Sequence, residues 1–291
     1  MPLPNFLIIG AQKAGTSSLH TYLKQHPQVF MSQLKEPMFF VQYGARHSKD
    51  APIQTFKQYQ ELFQGSGHKK AIGESSTLYL SCPWAPGLIK EFMPDVRLIA
   101  ILRNPIDRAW SHYLMHFSQK TFMFSPNFSE AIHESYTYFR EDESWDFSYL
   151  SQGLYFQQLE RYYQIFSKEQ LKVFLYDDFL QDNYSVIQEV FEFIQVDPSF
   201  KPDVSRRSKE TLPVRNKQLQ LFFENPSVLR QGLQRLLPAP LFEKIASQLK
   251  QWNRHQPILQ EEVRQVMIEA FRDDVLALEA WLGRDLSHWL Q

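Results

Sequence analysis

Short unbroken apolar runs alternate with stretches whose apolar residues recur at helical spacing. Phe6-Leu7-Ile8-Ile9 leads straight into Gly10, Val96-Arg97-Leu98-Ile99-Ala100-Ile101-Leu102 is the clearest run, and Leu171-Lys172-Val173-Phe174-Leu175-Tyr176 is a third. Runs of this length read as strands covered on both faces. Val29-Phe30-Met31 adds a shorter candidate, and Ala71-Ile72-Gly73 is an apolar entry to Glu74-Ser75-Ser76-Thr77. Helical spacing appears at Leu19, Tyr22 and Leu23, from Pro86 to Phe92, at Ile106, Trp110, Tyr113, Leu114 and Phe117, at Tyr155, Leu159, Tyr162 and Phe166, and from Tyr184 to Ile194. Asn104 suits a cap and Pro105 the first turn of its helix. A last stripe of Val263, Met267, Phe271, Val275, Leu278 and Leu282 is closed by Gly283. Strands alternating with helices predict an α/β fold, a central parallel sheet flanked by helices, with a helical C-terminal part. Residues 1–291 read as one domain. Within it, 44–70 are polar with a turn at Gly65-Ser66-Gly67, 118–148 show no clean period and read as a surface excursion, and 218–291 are mainly helical.

Composition narrows the function. The chain of 291 residues is 43% hydrophobic and holds 24 Phe and 13 Tyr, ample for a large core. Its net charge of −1 supplies no global field for nucleic acid or an anionic membrane, so any anion site must be local. The single cysteine, Cys82, precludes an internal disulfide and lacks the neighbours of a metal site. The first apolar run begins after five residues and no run approaches ~20, so the expectation is a cytoplasmic protein without a signal peptide or membrane span.

The stretch Gly10-Ala11-Gln12-Lys13-Ala14-Gly15-Thr16-Ser17-Ser18 lies between the first strand and the first helix. A glycine loop there points backbone N–H groups at one spot, with the positive end of the helix dipole behind them. Its spacing resembles the nucleotide-triphosphate loop, but Thr16 stands where that motif has lysine, and the loop's cation is Lys13. A kinase or ATPase also needs an acidic residue after a second strand to hold Mg²⁺. The run from Leu98 to Leu102 ends instead in Arg103, which would repel a metal ion and grip a phosphate directly, with Ser111 two turns further along the helix.

On these residues the chain resembles sulfotransferases that use 3′-phosphoadenosine 5′-phosphosulfate, in the bacterial branch similar to glycosaminoglycan sulfotransferases. Lys13-Ala14-Gly15-Thr16-Ser17-Ser18 is similar to their 5′-phosphosulfate loop, and Arg103-Asn104-Pro105 with Ser111 to their 3′-phosphate site. Lys35-Glu36-Pro37, Glu74-Ser75-Ser76, Gly153-Leu154-Tyr155, Tyr176-Asp177-Asp178 and Leu282-Gly283-Arg284-Asp285-Leu286 extend the likeness over nearly the whole chain. The resemblance implies a P-loop-like sheet and a metal-free, in-line transfer to an acceptor hydroxyl, leaving adenosine 3′,5′-bisphosphate. It assigns Gln12, Lys13, Ala14, Gly15, Thr16, Ser17 and Ser18 to the 5′ end of the nucleotide, with Lys13 on the bridging oxygen. Arg103 and Ser111 fall to the 3′ end.

It further implies Glu74 as the general base, with His20, His26, His112 and His116 as the alternatives. Lys35 and Tyr155 are expected near the acceptor, although relatives often carry histidine where this chain has Met38. Residues 201–217 hold Lys201, Arg206, Arg207, Lys209, Arg215 and Lys217 against Asp203 and Glu210, a surplus of +4; Arg206, Arg207 and Lys209 are the candidates for the 3′-phosphate and adenine. The acceptor is a sugar, lipid or other small alcohol, or a hydroxyacyl chain on a carrier, with no nucleic acid involved. A small-molecule kinase and a non-catalytic nucleotide-binding scaffold are the competing functions. Arg103 and the position of Lys13 weigh against the kinase, and the presence of both Lys13 and Glu74 weighs against the scaffold.

Overall fold

The computed structural model describes residues 2–45, 53–119, 125, 127–142, 148–205, 242, 245–249 and 258–291. At its centre five strands pair in parallel: β1 (Phe6–Gly10), β2 (Val29–Met31), β3 (Ala71–Ser75), β4 (Arg97–Leu102) and β5 (Leu171–Leu175). Their order across the sheet is β2-β3-β1-β4-β5. All of β1 is buried, as is β4 from Leu98 onward, and each such Leu or Ile contributes roughly 1.5–3 kcal/mol by leaving water. Phe6, Leu7 and Ile8 pair with Gly73, Glu74 and Ser75 on one side, and with Arg97, Leu98 and Ile99 on the other. After β1 the chain crosses to the edge strand β2, inserts β3 between the two, and then lays β4 on the other flank of β1. The loops after β1 and β4 therefore part at a crevice, the place where open parallel sheets hold ligands.

Helices cover both faces: α1 (Thr16–Leu23), α2 (Phe39–Ala45), α3 (Phe56–Glu61), α4 (Ala85–Phe92), α5 (Pro105–Gln119), α6 (Phe128–Asp142), α7 (Tyr155–Tyr163), α8 (Tyr176–Gln181), α9 (Asn183–Phe193) and α10 (Glu261–Leu282). Asn104 caps α5, its Oδ1 accepting from the amides of Ile106 (2.9 Å) and Asp107 (3.4 Å). The α10 stripe is buried at Val263, Met267, Phe271, Val275 and Leu278, and the helix ends at Gly283 in the left-handed region (φ 63°). Asp274 on the same helix accepts from the first-turn amides of α7, Phe156 (3.0 Å) and Gln157 (3.3 Å).

Three local differences from the sequence expectation have simple causes. Within the polar stretch 44–70, Thr55 and Gln58 form a capping box that starts α3. Within 118–148, α6 buries Phe128, Ala131, Ile132 and Ser135 at helical spacing. The polar Ser135 hides that period, and its hydroxyl is spent internally on the Ser148 hydroxyl (2.8 Å) and the Tyr149 amide (2.7 Å). Tyr176 opens α8 rather than extending β5. Among the described residues no helix is long and apolar enough to cross a membrane.

Candidate active site

The crevice between β1 and β4 is lined first by backbone. Gly15 precedes α1 with φ 88°, a left-handed conformation that a side chain disfavours, and a Cβ there would stand 2.8 Å from the Tyr176 ring. No side chain caps this end of α1, and an uncapped helix N-terminus is a setting that favours anions. Thr16 is buried, and Ser17 and Ser18 are half-buried beside it. Ala14 packs inward without exposure, and Gln12 carries a buried Oε1 that lacks a partner among the described residues.

Arg103, directly after β4, reaches this loop: its Nη1 donates to the Lys13 carbonyl at 3.2 Å, and its guanidinium stands 5.1 Å above the Tyr176 ring. Tyr155, expected to line the cleft, is instead fully buried, and its hydroxyl donates to the Arg103 carbonyl at 2.9 Å. It braces the end of β4 from behind. Ser111, half-buried, follows on α5. Burial first, and the Lys13 ammonium after it, lower the imidazole of His116, and Lys13 also adds to the depression of His112. The Lys13 charge is thus felt by both histidines of α5, His112 and His116. The fully buried Arg108 supports that helix, donating to Gln152 Oε1 (3.2 Å) and to the Tyr149 carbonyl.

The two acids lie in the loop after β2 and near the end of β3. Alternation along that strand turns Ser75 toward α1, where its hydroxyl meets His20 Nδ1 at 3.0 Å, and turns Glu74 to the opposite face. There Glu74 has no exposed surface and accepts from the Tyr59 hydroxyl (3.3 Å) and the Ser76 hydroxyl (2.9 Å). Burial pushes its carboxyl up to about 8, against the pull of the Ser76 hydrogen bond. The cause of the burial is the aromatic layer that closes over that face. Glu36 has the opposite setting. It sits in a turn where it (φ 58°) and Met38 (φ 51°) both adopt left-handed conformations, and its side chain is 24% exposed. The Thr77 amide donates to its carboxylate at 2.7 Å, the Thr77 hydroxyl at 3.2 Å, and Lys35 Nζ at 2.7 Å. Sequence reasoning passed over Glu36 as an acid of the site. Its available signal was the Lys35-Glu36-Pro37 sequence, because a charged residue beside a proline turn is held in place.

The histidines divide by environment. His26 is structural: its Nε2 meets the Asp197 carbonyl (3.0 Å), its Nδ1 accepts from the Gln28 amide (3.0 Å), and its ring lies against Phe191 and Phe200. His20 is lowered to about 4, chiefly by burial and then by Lys35. His112 is buried, whereas His116 is half-buried with Nδ1 3.0 Å from the Tyr149 hydroxyl. Arg206, Arg207 and Lys209 lie outside the described residues.

Comparison with known proteins gives a consistent picture. The sulfotransferase domain family profile matches residues 3–218. Membrane-associated sulfotransferase kil1 of Dictyostelium discoideum is 34% identical over 116 residues, 40% of this chain and 23% of that protein. Carbohydrate sulfotransferase 15 of Mus musculus is 27% identical over 251 residues, covering 67% of this chain and 44% of its own length. The chain spans less than half the length of these two curated relatives. A crystal structure of a sulfotransferase from Alicyclobacillus acidocaldarius is 28% identical and superposes with a TM-score of 0.75, covering 100% of both chains.

Proposed function

On the footing that this chain belongs to the sulfotransferase family, we propose that it moves a sulfuryl group from 3′-phosphoadenosine 5′-phosphosulfate to a carbohydrate hydroxyl. The observation that carries the reading is the meeting of the Lys13 loop and Arg103 at neighbouring strand ends, 3.2 Å apart. The donor's fit rests on the uncapped α1 terminus, the Gly15 conformation and the orphaned Gln12 Oε1, which together make a polar cradle of backbone width. A sugar acceptor is favoured by the likeness to a carbohydrate sulfotransferase.

The bound donor supplies an activated sulfuryl group, and adenosine 3′,5′-bisphosphate is the product. In this reading the amides of Gly15, Thr16 and Ser17 hold the 5′-phosphate with the hydroxyls of Thr16, Ser17 and Ser18, while Gln12 and Ala14 shape the loop. Lys13 offsets the charge that develops on the bridging oxygen, a contribution typically worth ~10²–10³ in rate for a positioned donor. Arg103 has five N–H donors in a fixed fork, so the one spent on the Lys13 carbonyl leaves others for the 3′-phosphate, with Ser111 beside them. Arg206, Arg207 and Lys209 are proposed to close on the same end. The acceptor's proton passes to Glu36, whose carboxylate is exposed enough to be touched, in preference to the sealed Glu74. Lys35 lies on the acceptor side, and Tyr155 acts by bracing Arg103.

Thermal denaturation tests this directly. Adenosine 3′,5′-bisphosphate at 100 times its dissociation constant stabilises by roughly 2.7 kcal/mol, and the shift is expected without added metal. A shift obtained only with ATP and Mg²⁺ would overturn the reading in favour of a kinase. Turnover is then scored on a panel of desulfated polysaccharides, an aryl alcohol and a hydroxyacyl thioester, and a response from the last alone would replace the sugar.

A further inference from the structure

The turn from Lys35 to Met38 carries two non-glycine residues in left-handed conformations, at Glu36 and Met38. Such conformations are unfavourable for residues with a side chain and persist only where their surroundings hold them. The surroundings here are the end of β3. The Glu36 amide donates to the Ser75 carbonyl (2.9 Å), and the Met38 amide donates to the Ser76 hydroxyl (2.9 Å). That hydroxyl in turn donates to Glu74 Oε2 (2.9 Å), so the Ser76 oxygen is fixed in orientation by the buried acid. On its other oxygen Glu74 accepts from Tyr59 of α3 (3.3 Å).

We propose that Glu74 is a positioning residue: through Ser76 it clamps the Met38 amide and so holds the strained turn that presents Glu36 to the acceptor. This rests on the assignment of Glu36 as the acid of the acceptor side. The groups facing Glu74 are Tyr59 from α3, Ser76 and Tyr79 from the segment after β3, and the carboxylate of Glu36 from the turn. Burial keeps a proton on Glu74 at neutral pH, with Glu36 adding to the effect. A neutral carboxyl, like a carboxamide, keeps one accepting oxygen and turns its other polar atom into a donor; with the oxygen toward Ser76 and the donor toward the Tyr59 hydroxyl, Glu74→Gln preserves the clamp and Glu74→Ala removes it.

Hydrogen exchange on the full chain, read at the peptide spanning 34–40, tests the clamp without any ligand. Glu74→Ala and Ser76→Ala are each expected to speed exchange of the Met38 amide at least tenfold, and the double variant no further. Glu74→Gln is expected to recover most of that protection. On the responding member of the acceptor panel, Glu74→Ala should lower kcat tenfold or more with the KM for the phosphosulfate donor unchanged. Glu74→Gln should restore kcat and keep the wild-type pH profile. If Glu74→Gln abolished turnover while leaving Met38 protected, Glu74 would be the base and the proposal would fall. Unchanged exchange in Ser76→Ala would also overturn it, even if Glu74→Ala failed to fold. Failure of the nucleotide to stabilise the wild type would remove the sulfotransferase reading but leave the exchange result standing, so the two failures are distinct.

Discussion

Two neighbouring stretches of the sheet's C-terminal edge are built from different materials. At the mouth of β1 and β4 the contacts come from main chain: uncapped helix amides, the Lys13 carbonyl and a left-handed glycine. At the end of β3 they come from side chains held in series, from Tyr59 to Glu74 to Ser76 to the 35–38 turn. A main-chain cradle has no rotamers to lose and is fixed once the strand and helix are packed. A side-chain relay is stiff only while every member is hydrogen-bonded. The first region therefore fails only where the backbone itself cannot be made or the lysine is removed, whereas the second fails one link at a time.

That contrast is sharpest at Lys13. Lys13→Ala removes the loop's own charged side chain and is expected to lower turnover by ~10²–10³. α1 and the melting temperature should change little, and single-turnover kinetics with the phosphosulfate donor would measure the loss. Gly15→Ala attacks the backbone instead. The left-handed conformation costs an L-residue roughly 1–2 kcal/mol, and the Cβ meets the Tyr176 ring at 2.8 Å. Both unfolding free energy and nucleotide binding should therefore fall together, and a variant that lost neither would show that the cradle is softer than described.

The relay is probed through pH. Glu74 holds its proton up to about 8 in the folded chain, against an ordinary 4.5. Between those values the unfolded chain binds fewer protons than the folded one, so this group's contribution to stability is complete below the lower value and is lost as pH rises through the upper one. Urea midpoints taken at pH 5 and pH 8.5 should fall more for the wild type than for Glu74→Gln. Equal slopes would mean that the acid is not buried as described. The smallest effect is expected from Thr77→Val, which deletes the 3.2 Å hydroxyl contact to Glu36 but keeps the 2.7 Å amide contact. A hydrogen bond to a charged group is worth about 1.5–3 kcal/mol, and one whose neighbour remains should cost at the lower end, seen as a fall of roughly tenfold in kcat.

What could be read from the chain follows the same division. The β1 loop and the placement of Arg103 are local: a run of apolar residues, a glycine and a charge at its end determine the geometry, and Gly283 ends α10 by the same short-range logic. Glu74 is not local. Which face of β3 it takes depends on pairing with β1 and on α3 covering that face, and nothing in Ala71-Ile72-Gly73-Glu74-Ser75 distinguishes an acid facing a cleft from one beneath an aromatic layer. Tyr155 shows the same limit. Helical spacing places it on the packed side of α7, but only the approach of Arg103's carbonyl decides what its hydroxyl meets. α6 was hidden by one buried serine whose partners lie 13 and 14 residues away.

Trp289, fully buried in the short turn Ser287–Leu290, touches the groups behind the arginine from an unexpected direction. Its carbonyl accepts from Asn104 Nδ2 (3.4 Å), its indole donates to Asp177 (3.0 Å), and its ring lies against Tyr155. A pocket whose lysine is the thirteenth residue is thus propped by the two hundred and eighty-ninth. Because Trp289 is synthesised long after Lys13, a nascent chain that has not yet reached it would carry the loop but not the finished pocket, and contacts of such long sequence separation form late.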